Sequence, residues 1–321
     1  MNKKTAVIII LTLALTVFLL YQIPLRDIPA TLSGIKPVYL IGGFVLYAFS
    51  YFFRALRFRV LLRQRISLKG LFSIVCMNNM LNSLLPARTG ELSYIYFINR
   101  NHGIALGKGI ATLVVARILD FIIISGVFFI SALFVTELPR VVSNTLTSIA
   151  SVLILLMFLL ILLVYRGQSL RNKIETALTK LRLNNWHPMA FLIQKGNEAA
   201  ESFKAVQSRK VILYSFVLSI LIWSSNYIMT YILVSQIGIN LPAWEIILGV
   251  TFIVFLALIP IPSVLGLGAH EGIWTLVFMT LGISKGLAIS SGFGYHILII
   301  VYYLVLGFYG FIAMRFKKTG S

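Results

Sequence analysis

An all-α, polytopic membrane fold is what this sequence predicts, with about six transmembrane helices and two re-entrant helical hairpins set as an inverted repeat. Three observations predict it. Of the 321 residues, 59% are hydrophobic and 12% charged, the mean hydropathy is +0.94, and several apolar runs reach the roughly 20 residues that cross a bilayer as helix. Two stretches deep in apolar sequence are broken by proline, glycine and charge: Asn82-Ser83-Leu84-Leu85-Pro86-Ala87-Arg88-Thr89-Gly90-Glu91, and the run from Pro260 to Gly272. Lipid offers the backbone no hydrogen-bond partner, so such breaks survive at membrane depth only where protein or a wet cavity covers them. Finally, nearly all the Lys and Arg residues fall on one side of the resulting topology, as cytoplasmic loops require.

Composition also excludes. A net charge of +19 points to nucleic acid in a soluble protein. Here the charge borders apolar runs, so no nucleic-acid partner is expected. The one cysteine, Cys76, makes no intrachain disulfide and no cysteine-rich metal site. His, Asp and Glu do not stand at metal-ligand spacing, and no Walker or HExxH pattern occurs. Gly266, Gly268 and Gly272 follow no β-strand, which removes the nucleotide-loop reading. No cofactor is expected.

The elements follow in order. Lys3 and Lys4 precede the run Thr5 to Tyr21, which is too long for a signal-peptide core and lacks a small-residue cleavage site; it reads as a retained first helix. A short loop holds Arg26, Asp27 and Lys36. Pro37 to Phe53 reads as the second helix, and Arg54, Arg57, Arg59, Arg63, Arg65 and Lys69 as a cytoplasmic basic run. Leu71 to Leu85 is short for a span, and only Leu92 to Ile98 follows the break. Two short arms around a break read as hairpin A, entering from the cytoplasm and returning there. The alternative is one long kinked span. Gly109 to Val135 crosses outward and carries Arg117 and Asp120. Leu146 to Tyr165 returns.

Residues 166–210 form the one sizeable polar region, basic and amphipathic, read as lying on anionic inner-leaflet lipid. Val211 to Val234 crosses outward. Ile246 to Ile259, the second break, and Ile273 to Leu281 form hairpin B. Gly286 to Met314 returns inside. Arg26, Lys36, Arg140 and Lys285 lie outside, and Arg88 and Arg117 in the membrane. Both termini are thus cytoplasmic and the membrane is the cell membrane. The chain is one membrane domain, 1–321, with inverted halves of approximately 1–135 and 146–314. Matching breaks in inverted halves point to a substrate site at the repeat interface.

Candidate site residues follow from intramembrane polarity. Arg88 offers a planar fork of five donors suited to phosphate, just before a half-helix whose free N–H groups also favour anions. Its other reading is neutralisation of Glu91. Glu91 and Glu271 hold equivalent places after their breaks. They serve as a pair of working carboxylates meeting near the midplane around a basic residue, or as N-caps favoured by the helix dipole. Arg117 and Asp120, at i and i+3, share a face, either closing on each other or turning to a head group. His270 is a proton relay, a head-group donor or a structural histidine; His296 is a weaker case. Asn78 and Asn82 share a face and are placed to bond the broken backbone. Pro86, Gly90, Pro260, Pro262, Gly266 and Gly268 make the breaks.

At these breaks the chain resembles the lysylphosphatidylglycerol synthase transmembrane family, also called flippase-like integral membrane proteins. The residues that carry the resemblance are Asn82…Leu85-Pro86-Ala87-Arg88-Thr89-Gly90-Glu91, Arg117…Asp120, and Pro260…Pro262…Gly266-Leu267-Gly268-Ala269-His270-Glu271-Gly272. A departure is Pro262-Ser263-Val264-Leu265-Gly266, where the family has a Pro-Gly-Gly-like run. The resemblance implies movement of a phosphate-bearing lipid between leaflets: a phospholipid, an aminoacylated phosphatidylglycerol or a polyprenyl phosphate. Larger members carry a soluble aminoacyltransferase domain after the membrane part. This chain ends at Ser321, so a stand-alone member without that enzyme activity is expected. Two function classes remain: a flippase, with proton coupling through Glu91, Glu271 or Asp120 as an option, and the membrane subunit of a lipid-modifying enzyme.

Overall fold

The computed structural model describes residues 3–23, 27–64, 66–85, 90–135, 151, 208–257 and 263–316. Pro86, Arg88, Pro260, Pro262, and nearly all of the expected span Leu146 to Tyr165 and of the basic segment 166–210 lie outside the described residues.

Within the described residues the regular structure is helical. The helices are α1 Lys3–Leu20, α2 Asp27–Ser33, α3 Pro37–Leu62, α4 Leu68–Leu84, α5 Leu92–His102 and α6 Leu106–Phe134. After the undescribed stretch come α7 Arg209–Gln236, α8 Ala243–Leu256, α9 Ala269–Thr280 and α10 Lys285–Phe316. Four of them, α3, α6, α7 and α10, are long and apolar enough to cross a membrane, and α8 is a shorter apolar helix. The broken pairs expected at hairpins A and B are α4–α5 and α8–α9, each packed arm to arm.

Local chemistry sets the helix ends. Pro37 stands in the first turn of α3, where its missing N–H costs nothing. Ser67 caps α4, its hydroxyl accepting from the Gly70 N–H at 3.2 Å. Gly103, at φ 64°, closes α5 in the left-handed conformation that glycine adopts without strain.

Three elements differ from the expectation. The second helix continues nine residues past Phe53, to Leu62, and takes Arg54, Arg57 and Arg59 out of the supposed loop. The reason is apolar periodicity: Tyr51, Ala55, Phe58 and Leu62 are all buried on one face of α3. The loop around Asp27 contains the short helix α2, which packs on α10 with Thr31 and Leu32 beside Gly294. Arg209 and Lys210, assigned to the polar segment, form the first turn of α7.

Helices α3 and α7 share the most extensive contact and form the middle of the bundle. Around them the packing crosses over: α4 lies along α10, and α8 lies along α6. The α4–α10 approach depends on small residues. A Cβ at Gly310 would come 2.7 Å from the Ser73 carbonyl oxygen and 2.9 Å from Cys76 Cβ, and one at Gly307 would overlap Met80. Close helix approach through glycine is how helices associate where no hydrophobic force drives them together.

Candidate functional site

Break A is held from inside the protein. The Asn78 side-chain amide donates to the Gly90 carbonyl at 3.0 Å and to Ser93 Oγ at 3.0 Å. The expectation that this asparagine face serves the broken backbone therefore holds at Asn78. It does not hold for the Asn82 side-chain oxygen, which is buried without a partner among the described residues. Asn82 contributes through its backbone: Gly90 sits so close to Leu81 and Asn82 that any Cβ at position 90 would overlap them.

This seat fixes Glu91 at the start of α5. Glu91 occupies the N-cap position but makes no side-chain cap bond. Its carboxylate reaches sideways to α6, where Arg117 Nη2 donates to Glu91 Oε1 at 2.6 Å. The pair is not sealed, with side-chain exposures of 36% for Arg117 and 24% for Glu91.

Asp120 has a different partner from the one its spacing suggests. Its approach to Arg117 is 3.9 Å. Arg57, from α3, grips it through both oxygens, Nη1 to Oδ1 at 2.6 Å and Nη2 to Oδ2 at 3.1 Å. Trp223 Nε1, from α7, donates to Asp120 Oδ1 at 2.9 Å, and Arg57 also donates to Ser219 Oγ at 2.8 Å. A self-contained Arg117–Asp120 pair is thus corrected to a chain of alternating charge, Arg57, Asp120, Arg117, Glu91, running through α3, α6 and α5. Its inner end is buried and its outer end is open. Arg57 is the residue the sequence reading missed. The signal was present in the apolar spacing that carries α3 past Phe53.

Break B turns through left-handed backbone at Leu265, Gly266 and Gly268, with φ of 57°, 77° and 74°. Side chains other than glycine rarely take this conformation. The first helix covers it: Val264 N–H donates to Thr12 Oγ1 at 3.2 Å, and Leu15 and Thr16 crowd the Gly268 Cα.

Glu271, in the first turn of α9, is fully buried and meets His296 of α10, Oε1 to Nδ1, at 2.7 Å. The His270 ring lies tilted against His296 with centroids 4.4 Å apart, stacks on Tyr295 and also contacts Trp274. His296 is thus the carboxylate's partner, and His270 its neighbour. Glu91 and Glu271 do not share a basic residue among the described ones; each has its own.

Charged and polar side chains pairing across apolar helices, with broken helices between long ones, define a multi-pass α-helical membrane protein. The family model for the lysylphosphatidylglycerol synthase TM region matches residues 5–307, and the chain belongs to that family. Among curated proteins it is similar to a "UPF0104 membrane protein" of Methanothermobacter thermautotrophicus, 26% identical over 314 residues that cover 90% of this chain and 88% of the relative. No solved structure matches.

Proposed function

We propose that this protein is a lipid flippase that moves a phosphate-bearing lipid between the leaflets of the cell membrane without changing it chemically. The observation that carries the reading is the open end of the charge chain. Arg117 stands eleven residues into α6, counted from Leu106, and yet its side chain is 36% exposed. An ionised group at that depth is costly in hydrocarbon, so an exposed one belongs to a wet groove. A guanidinium there can hold a phosphate in bidentate fashion, and Glu91 supplies a carboxylate with which the phosphate exchanges places.

Arg88, three residues before Glu91 in the sequence, offers a second planar fork, and the free N–H groups at the start of α5 favour an anion. The acyl or prenyl chains stay in lipid while the head group passes. Hairpins A and B, each entering from its own side, are the matching broken segments of the two inverted halves. The basic segment 166–210 rests on anionic inner-leaflet lipid, with both termini in the cytoplasm.

Native mass spectrometry of the purified protein tests this reading. Phosphate-bearing lipid should co-purify with the wild type and fall several-fold in Arg117→Gln. Binding of neutral lipids alone, or a bound lipid carrying a new covalent group, would overturn it.

A further inference from the structure

The two carboxylate couples occupy corresponding places in the two halves. In the order span, broken pair, span, helices α3, α4–α5 and α6 answer to α7, α8–α9 and α10. The crossed packing of α4 on α10 and of α8 on α6 follows the same exchange. Glu91 leads into α5 and pairs with a residue eleven positions past Leu106, the start of α6. Glu271 lies in the first turn of α9 and pairs with a residue eleven positions past Lys285, the start of α10. The sequence separations within the pairs are 26 and 25. The couples are positional equivalents with one chemical difference: the partner is Arg117 in one half and His296 in the other.

That difference decides what each couple can do. A guanidinium stays charged at every physiological pH, so the Glu91–Arg117 couple keeps a fixed cation. An imidazole takes or gives up a proton within that range. With one proton more, Glu271–His296 is neutral; with one fewer, it is a net anion. Glu271 is fully buried, and its second oxygen, Oε2, has no hydrogen-bond partner among the described residues. Nε2 of His270 and Oγ1 of Thr275 are likewise buried and unpartnered among them. An uncompensated carboxylate in such a place is costly.

From this asymmetry, and resting on the transport reading, we propose that Glu271–His296 is the proton site that couples lipid movement to a pH gradient. The couple takes one proton from the water on one side, rearranges as a neutral pair, and returns that proton to the other. No other bond is made or broken.

From α9 the neighbouring titratable group is His270, and from α10 Tyr295, which bonds Thr230 of α7 at 2.9 Å. Helix α1 brings Leu15 and Thr16 to the turn. The ionisable residues of α2 and α8 are Asp27 and Glu245, each in a first turn. Helix α3 offers Tyr47, whose ring lies 5.8 Å from that of Tyr302. Helix α4 carries Lys69, and Cys76, which is buried.

Two measurements test it. Infrared difference spectra of the purified protein between about pH 6 and about pH 8 should show a proton taken up by the couple, and Glu271→Gln should abolish that signal. In phosphatidylcholine vesicles holding fluorescent phosphatidylglycerol, a pH step of one unit should drive the probe toward one leaflet by up to about tenfold, the limit for one coupled proton. His296→Arg, which copies the other half, should equilibrate the probe without accumulating it. Accumulation that persists in His296→Arg, or an infrared difference untouched by Glu271→Gln, overturns the proposal. A wild type that moves no probe contradicts the transport reading, while the infrared result still decides the proton site.

Discussion

Arg57 and Asp120 form a two-pronged ion pair, 2.6 Å and 3.1 Å, with side-chain exposures of 2% and 4%. It joins α3 to α6, and Trp223 and Ser219 bring in α7. Asp120 faces three donors, so little of its charge is left for Arg117. That arginine is one turn away on the same helix, 3.9 Å from the nearest Asp120 oxygen, and its close contact is with Glu91. The buried pair is an anchor that leaves Arg117 open.

Breaking one side of this anchor should be worse than removing both. Arg57→Met strands a buried carboxylate and should lower stability by about 3–5 kcal/mol. Asp120→Leu strands the cation to a similar extent. The double change should cost less than the sum, because the two residues are directly coupled. Thermal unfolding in detergent measures all three. Additive losses would mean that the residues act independently.

Position 90 tolerates no side chain. Gly90→Ala places a methyl group into the backbone of Leu81 and Asn82 and should open break A, with a clear fall in melting temperature and loss of the Glu91–Arg117 contact. Gly126→Ala, on α6, meets nothing within 4 Å and should be neutral to within about 1 kcal/mol. Equal effects at the two sites would remove the close-approach argument.

The proposed hairpins make opposite predictions for two positions, one at the end of α5 and one before α10. In intact cells, a cysteine at Asn101 should react only with reagents that reach the cytoplasm, and one at Ser284 only with external reagents. The background is low because the one native cysteine, Cys76, is fully buried. External labelling at Asn101 would replace hairpin A with a kinked span.

The long helices were legible because apolar length alone defines them, and Pro37 marks the start of one of them. The broken segments were legible from proline, glycine and charge inside apolar sequence. Pairing was not. Spacing along one helix suggested Arg117 with Asp120, but tertiary packing brought Arg57 from 63 residues away. Charge counting had assigned Arg57 to a loop, since a basic run beside an apolar run looks cytoplasmic whether or not the helix continues. His296 was undervalued for a related reason: within α10 it stands alone, and its partner arrives from α9.

Arg88 remains the first sequence-based choice for phosphate contact. Arg88→Ala should abolish lipid movement while leaving the fold near normal. Arg88→Lys should recover little, because lysine keeps the charge but loses the planar fork. Full activity in Arg88→Lys would reduce the residue to a point charge, and full activity in Arg88→Ala would remove it from the site.

The central claim, that a phosphate-bearing lipid passes the open Glu91–Arg117 pair, is tested most directly by transbilayer movement in reconstituted vesicles. Head-group-labelled phosphatidylglycerol is followed by its accessibility to an external quencher, against protein-free vesicles and Arg117→Gln. The account predicts fast movement with the wild type, a rate at least tenfold lower with Arg117→Gln, and recovered lipid that is chemically unchanged. Wild-type movement no faster than in protein-free vesicles, or equal rates for wild type and Arg117→Gln, would contradict it.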